Sequence, residues 1–104
     1  MFTLKYLFQL RDLQYDYPDS AFCSFQDKAF KDMPNNEPFN KFNKYEMVLL
    51  IAALQRQWRL SFKDDCKKIE TLIREHLPPE IQSQMDVRDW LVLNWNSQLS
   101  VKSA

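Results

Sequence analysis

Glycine is missing from the chain: none of its 104 residues is one, where average usage would supply about seven. Glycine provides positive φ at tight turns and lets a backbone approach a ligand closely. Walker loops, dinucleotide fingerprints and nucleophile elbows are all built on it, so those chemistries are excluded. Two-residue hairpins also become difficult, because they favour glycine or asparagine at positive φ. Helices joined by loops that avoid left-handed glycine caps are the economical alternative. The expected fold is therefore all-α, a single small domain over residues 1–104, with four to six helices around a central buried helix at 47–58.

The N-terminal segment reads two ways. Phe2, Leu4, Tyr6, Phe8 and Leu10 alternate as a half-buried strand would, so residues 2–10 are open to a strand. Helical spacing also fits, and no second alternating run offers a pairing partner, so a helix ending before Pro18 is the preferred reading. Asp19 or Ser20 can cap a second helix, with Phe22, Phe25, Ala29, Phe30 and Met33 on one face. Residues 34–42 have the composition of an internal linker.

Asn43, with Glu46 three residues on, has the spacing of a capping box. Met47, Leu50, Ile51, Leu54 and Trp58 follow as a stripe, and Val48, Leu49, Ala52 and Ala53 make most of the remaining circumference apolar. A helix apolar nearly all round is a buried one. Ser61-Phe62-Lys63-Asp64 is a second capping pattern before Cys66, Ile69, Ile73 and Leu77. Pro78-Pro79 stops that helix, and Pro79 suits the first position of the next. Ile81, Met85, Trp90, Leu91 and Trp95 predict a last helix, broken near Asp86, with residues 97–104 frayed.

Catalytic and metal chemistry find little to work with. His76, the single histidine, falls in a last helical turn, where the dipole favours a cation. Cys66 lies ten residues from it on one helix, about 15 Å along the axis, too far for a dyad. Cys23 and Cys66 both sit on apolar stripes and read as small hydrophobes. The pairs Asp64-Asp65 and Asp86 with Asp89 read as capping or solvated carboxylates. No enzymatic activity, cofactor or metal is expected. The longest apolar run, residues 47–54, falls short of the roughly 20 residues that cross a bilayer. Nothing at the start reads as a secretory signal. Two cysteines are too few for a disulfide scaffold, so free thiols in an intracellular, cytoplasmic setting are expected.

Aromatic residues outside the stripes point to a partner. Tyr, Trp and Phe are enriched at protein interfaces and often anchor them. Tyr15, Tyr17, Phe39, Trp90 and Trp95 are the candidate partner-binding residues. Trp90 and Trp95 point about 140° apart on a helix, so both cannot face one core. Trp95 is assigned as the exposed anchor, beside Val92 and Leu99, with Trp90 packing inward. The expected function is a small non-enzymatic protein that binds another protein, of adaptor, inhibitor or immunity-type host-modulator kind. A second copy of the chain is an admissible partner.

The rival is a nuclear, nucleic-acid- or chromatin-binding helical module using Arg56, Arg59, Lys63, Lys67 and Lys68, a basic run interrupted by Asp64 and Asp65. Lys plus Arg balances Asp plus Glu at 14 each, so no global field favours nucleic acid or acidic lipid. Phe42-Asn43-Lys44-Tyr45-Glu46, Lys67-Lys68-Ile69-Glu70 and Leu77-Pro78-Pro79-Glu80-Ile81-Gln82-Ser83-Gln84 give residues 42–95 a similarity to the three-helix Myb/SANT domain. The family's regularly spaced tryptophans are not reproduced. The counterpart of its DNA-reading helix carries Glu80, Asp86 and Asp89 against Arg88 alone. The resemblance therefore implies the protein-binding branch of that family.

Overall fold

Asn43 starts the first helix as its sequence promised. Its Oδ1 accepts from the backbone N–H groups of Tyr45 (2.9 Å) and Glu46 (3.1 Å), satisfying two donors that the helix cannot. The capping box stays open, however, because Glu46 Oε1 accepts from the Asn40 backbone at 2.9 Å. The computed structural model describes residues 7–96. Among them it contains three α-helices: α1 (Lys44–Trp58), α2 (Lys63–His76) and α3 (Gln84–Asn94). Single 3-10 turns occupy Leu10–Asp12 and Lys28–Phe30. No strand is present among the described residues, only an isolated antiparallel bridge between Pro38 and Ser83.

Of the expected four to six helices, three α-helices stand among the described residues, with two 3-10 turns beside them. Helix α2 begins without a side-chain cap, Phe62 holding the cap position in place of the predicted Ser61. Asp64 and Asp65 in its first turn supply favourable charge to the helix dipole instead. Pro79 does not open α3, and Asp86 does not break it. Ser83 is the cap, its Oγ accepting from the Asp86 N–H at 3.1 Å. The reason is tertiary. Phe39 donates to the Gln82 carbonyl at 2.7 Å and Gln84 to that of Glu37 at 2.9 Å, which holds residues 81–83 extended.

Helix α1 ends in a left-handed residue after all. Arg59 has φ 56° and ψ 46°, and Asp32 also has φ 56°. Loops do not avoid the αL region here. Non-glycine residues occupy it, at a cost of about 1 kcal/mol or more each.

Apolar stripes from all three helices meet in one core. Met47, Leu50, Ile51 and Leu54 of α1, Cys66, Ile69, Leu72 and Ile73 of α2, and Val87 and Leu91 of α3 are fully buried. Each large aliphatic among them contributes roughly 1.5–3 kcal/mol relative to an exposed position. Gln55, Glu70 and Gln84 are fully buried as well, one on each helix.

Those three polar side chains explain residues 7–43, an arm with no α-helix. Neither the helix preferred for the N-terminal segment nor the strand allowed at 2–10 forms in residues 7–17; residues 2–6 lie outside the described residues, as do 97–104. The second expected helix is replaced by turns, and Phe22, from its intended apolar face, is 76% exposed. The arm still inserts Phe8, Phe30, Met33 and Phe39 into the core. Irregular backbone brought to a core must have its polar groups satisfied. Gln55 Oε1 accepts from Phe8 N at 3.1 Å, and Glu70 Oε1 from Gln14 N at 2.8 Å. Gln84 Oε1 accepts from Asn35 N at 3.1 Å, while its Nε2 donates to the Ala29 carbonyl at 2.7 Å. Each helix therefore pins one stretch of the arm. The linker-like residues 34–42 run along α3, joined to it also by Met85 N donating to the Asn35 carbonyl.

Candidate functional site

Where α1 ends and α3 ends, their last turns leave an open groove of about 320 Å³ lined by Trp58, Leu60, Val92, Trp95 and Asn96. Trp58 and Trp95 meet edge to face, ring centroids 5.8 Å apart at 72°. Such a pair gains from ring quadrupoles beyond its buried area. Lys68, reaching across from α2, places its Nζ 4.3 Å from the centre of the Trp95 ring, a cation–π contact. Among the described residues no acidic side chain lines the groove.

Trp95, which spacing assigned as the exposed anchor, is only partly exposed. It and Trp90 are both half-buried and packed against the core. The helical turn separates them as expected, but Trp58 and Lys68 cover Trp95 from two other helices. The exposed apolar groups of α3 are Val92, at 58%, and Leu93, at 82%. Phe62, at the start of α2, is 70% exposed. Leu99, expected beside Trp95, lies outside the described residues.

The other candidate partner residues are placed elsewhere. Phe39 is buried in the core, because its backbone pairing with Gln82 turns the ring inward. Tyr15 and Tyr17 fasten the arm to α2. The Tyr15 hydroxyl donates to Glu75, and the Tyr17 hydroxyl to Glu70 Oε2 at 2.6 Å. Arg74 stacks on both rings, its guanidinium carbon 5.0 Å and 4.6 Å from their centres and 5.2 Å from that of Phe42. Burial and the Glu70 hydrogen bond push the Tyr17 phenol above its ordinary range. Burial and the Glu75 hydrogen bond raise that of Tyr15.

The five basic residues of the rival reading fan out. Arg56 lies over Phe25 at 5.1 Å, Lys63 pairs with Asp12 at 3.5 Å, and Lys68 covers Trp95. Arg59 is exposed at the α1 C-terminus, and Lys67 is half-exposed where its carbonyl accepts from Gln14 Nε2 at 3.0 Å. Burial, followed by nearby carboxylates, pushes both cysteine thiols up to about 11. A thiol so raised is a poor nucleophile at neutral pH. Among the described residues no group of three His, Cys, Asp or Glu side chains is placed to hold a metal, and no helix is long and apolar enough to cross a membrane.

Spacing alone missed Leu60 as a lining residue and the three buried pins. The pins did carry a signal: Gln55 falls four residues after Ile51, Glu70 four after Cys66, and Gln84 three before Val87, all on buried stripes. No family model, curated protein or solved structure matches the chain, so the Myb/SANT resemblance stands on the quoted residues alone.

Proposed function

We propose that the protein is a non-enzymatic binding module, of adaptor or inhibitor type, that docks another protein on the groove between the ends of α1 and α3. The observation carrying this reading is the apolar groove itself, lined by two tryptophans, Leu60 and the exposed Val92. Exposed apolar patches of this kind mark partner surfaces, and half-buried tryptophans are favoured anchors. The raised thiol pKa values of Cys23 and Cys66 make both poor nucleophiles at neutral pH. Both cysteines are free, which suits a reducing intracellular compartment. The nucleic-acid reading draws less support, since its basic residues do not form a continuous track.

Val92→Asn tests the proposal. The side chain is mostly exposed, so the fold should survive while the groove loses an apolar wall. Affinity purification from the native cells, run in parallel on wild type and variant, should show a stoichiometric protein lost with the substitution. Identical recovery of every bound protein, with native circular dichroism, would place the interface elsewhere.

A further inference from the structure

We infer that the groove selects an acidic amphipathic segment of its partner, seating an apolar side chain against Trp58, Val92 and Trp95 while carboxylates pair with Lys68 and Arg59. This rests on the docking reading above and names the chemistry of the occupant.

Lys68 carries the first part of the case. Its ammonium lies over the ring of Trp95, a lining residue, and has no ion-pair partner among the described residues. An incoming carboxylate gains a charge-assisted bond there without displacing an existing one. Arg59 carries the second. In the chain it follows Trp58 and precedes Leu60, both lining residues, and it is exposed and likewise without an ion pair among the described residues. It also holds the αL position at which glycine is the unstrained choice.

Acidic neighbours do not cancel the pair. Asp12 is joined to Lys63 and Asp89 to Arg88, at 3.5 Å and 2.8 Å. Asp64 and Asp65 occupy the first turn of α2, facing its dipole. Residues 1–6 carry Lys5, residues 97–104 carry Lys102, and neither stretch has an Asp or Glu. Neither stretch therefore supplies the complementary carboxylates. At about 320 Å³ and open to solvent, the groove suits one or two anchor side chains of a helix laid along it, not an enclosed small molecule.

The test uses the full chain and two synthetic helical peptides with the same Leu positions, one flanked by Glu and one by Lys, plus a thymidine oligonucleotide. The Glu peptide should bind on the order of tenfold tighter than the Lys peptide, the scale of one or two charge-assisted contacts. Added salt should narrow the gap. Lys68→Gln should weaken Glu-peptide binding severalfold. Arg59→Gly should do the same while raising the melting temperature, a combination that a purely structural role for Arg59 does not produce. Val92→Asn should abolish binding of either peptide. Equal binding of the two peptides, both lost in Val92→Asn, overturns the charge selection and leaves docking intact. Peptide binding that Val92→Asn does not touch overturns docking at the groove as well. No binding of the Glu peptide overturns the inference, while the docking reading is still judged by co-purification. Oligonucleotide binding that Lys68→Gln removes, or a dimer in sedimentation that Val92→Asn dissociates, assigns the groove to nucleic acid or to a second copy and likewise overturns it.

Discussion

In residues 44–94 most backbone hydrogen bonds close within a helix, whereas in residues 7–43 key ones reach side chains 47 to 56 positions away. Both regions feed the same core, yet they are held by different means. The helices bring periodic aliphatic stripes, and burial of area stabilises them with little demand for direction. The arm brings isolated aromatics on irregular backbone and depends on Gln55, Glu70 and Gln84 for donors and acceptors. A polar residue on a buried stripe is thus no defect in the helix. It is the point where a helix holds something that is not one.

The contrast is tested most severely at Leu54, fully buried on α1. Leu54→Ala should cost about 2–5 kcal/mol in urea denaturation, with arm and helices lost together. A cost below half a kcal/mol would remove α1 from the shared core. Glu70→Ala should cost less, about 1–3 kcal/mol, since it leaves the Tyr17 hydroxyl and Gln14 N–H without their acceptor. Its effect should be local: faster amide exchange and proteolysis in residues 13–17, with helical circular dichroism retained. Simultaneous loss of helix content would show that the two regions are a single unit.

Alkaline pH separates the regions by a different route. Tyr17 in the arm and Cys66 in α2 both have raised pKa values in the folded protein. Each therefore contributes stability that is complete below its unfolded value and lost as pH rises through the folded one. For Cys66 the decline should run from the ordinary thiol value of 9.0 through about 11. The Tyr17 contribution should fade above 10.0. Urea midpoints measured across that window should fall, and Tyr17→Phe should remove the later part of the fall. A flat profile would mean that neither group is buried as described.

Smaller effects belong to the ends of α1. Asn43→Ala removes the acceptor of two backbone N–H groups and should cost about 1 kcal/mol. Arg59→Gly should stabilise the free protein by about 1 kcal/mol, by relieving the αL residue. A destabilised Arg59→Gly would mean that the arginine side chain supports the fold and is not spare for a partner.

Helix α1 was the most legible element, because Asn43 and the apolar run after it act locally. Helix α2 was readable from Cys66, Ile69 and Ile73 at helical spacing, though its cap was misplaced. The spacing of Phe22, Phe25, Ala29, Phe30 and Met33 was equally helical and misled. A short isolated helix is marginal in water until tertiary contacts support it. Here the contacts went to turns instead, Gln84 and Asn35 drawing the Ala29 and Lys31 carbonyls into side-chain bonds. The candidate site was half visible: Trp95 and Val92 stood together on α3, but Trp58, Leu60 and Lys68 joined them from other elements.

The amino-acid order by itself determined the three stripes, the Asn43 cap and the exclusion of glycine-built phosphate and nucleophile motifs. All of these act within a turn or two of helix or through composition. Tertiary structure alone decided the course of residues 7–43, the start of α3 at Ser83 and the partial burial of Trp95. Each depends on a hydrogen bond or ring contact between residues 37 to 56 positions apart. Local periodicity has no means of encoding such a partner, because at the level of spacing a glutamine that pins a distant chain is indistinguishable from one that faces water.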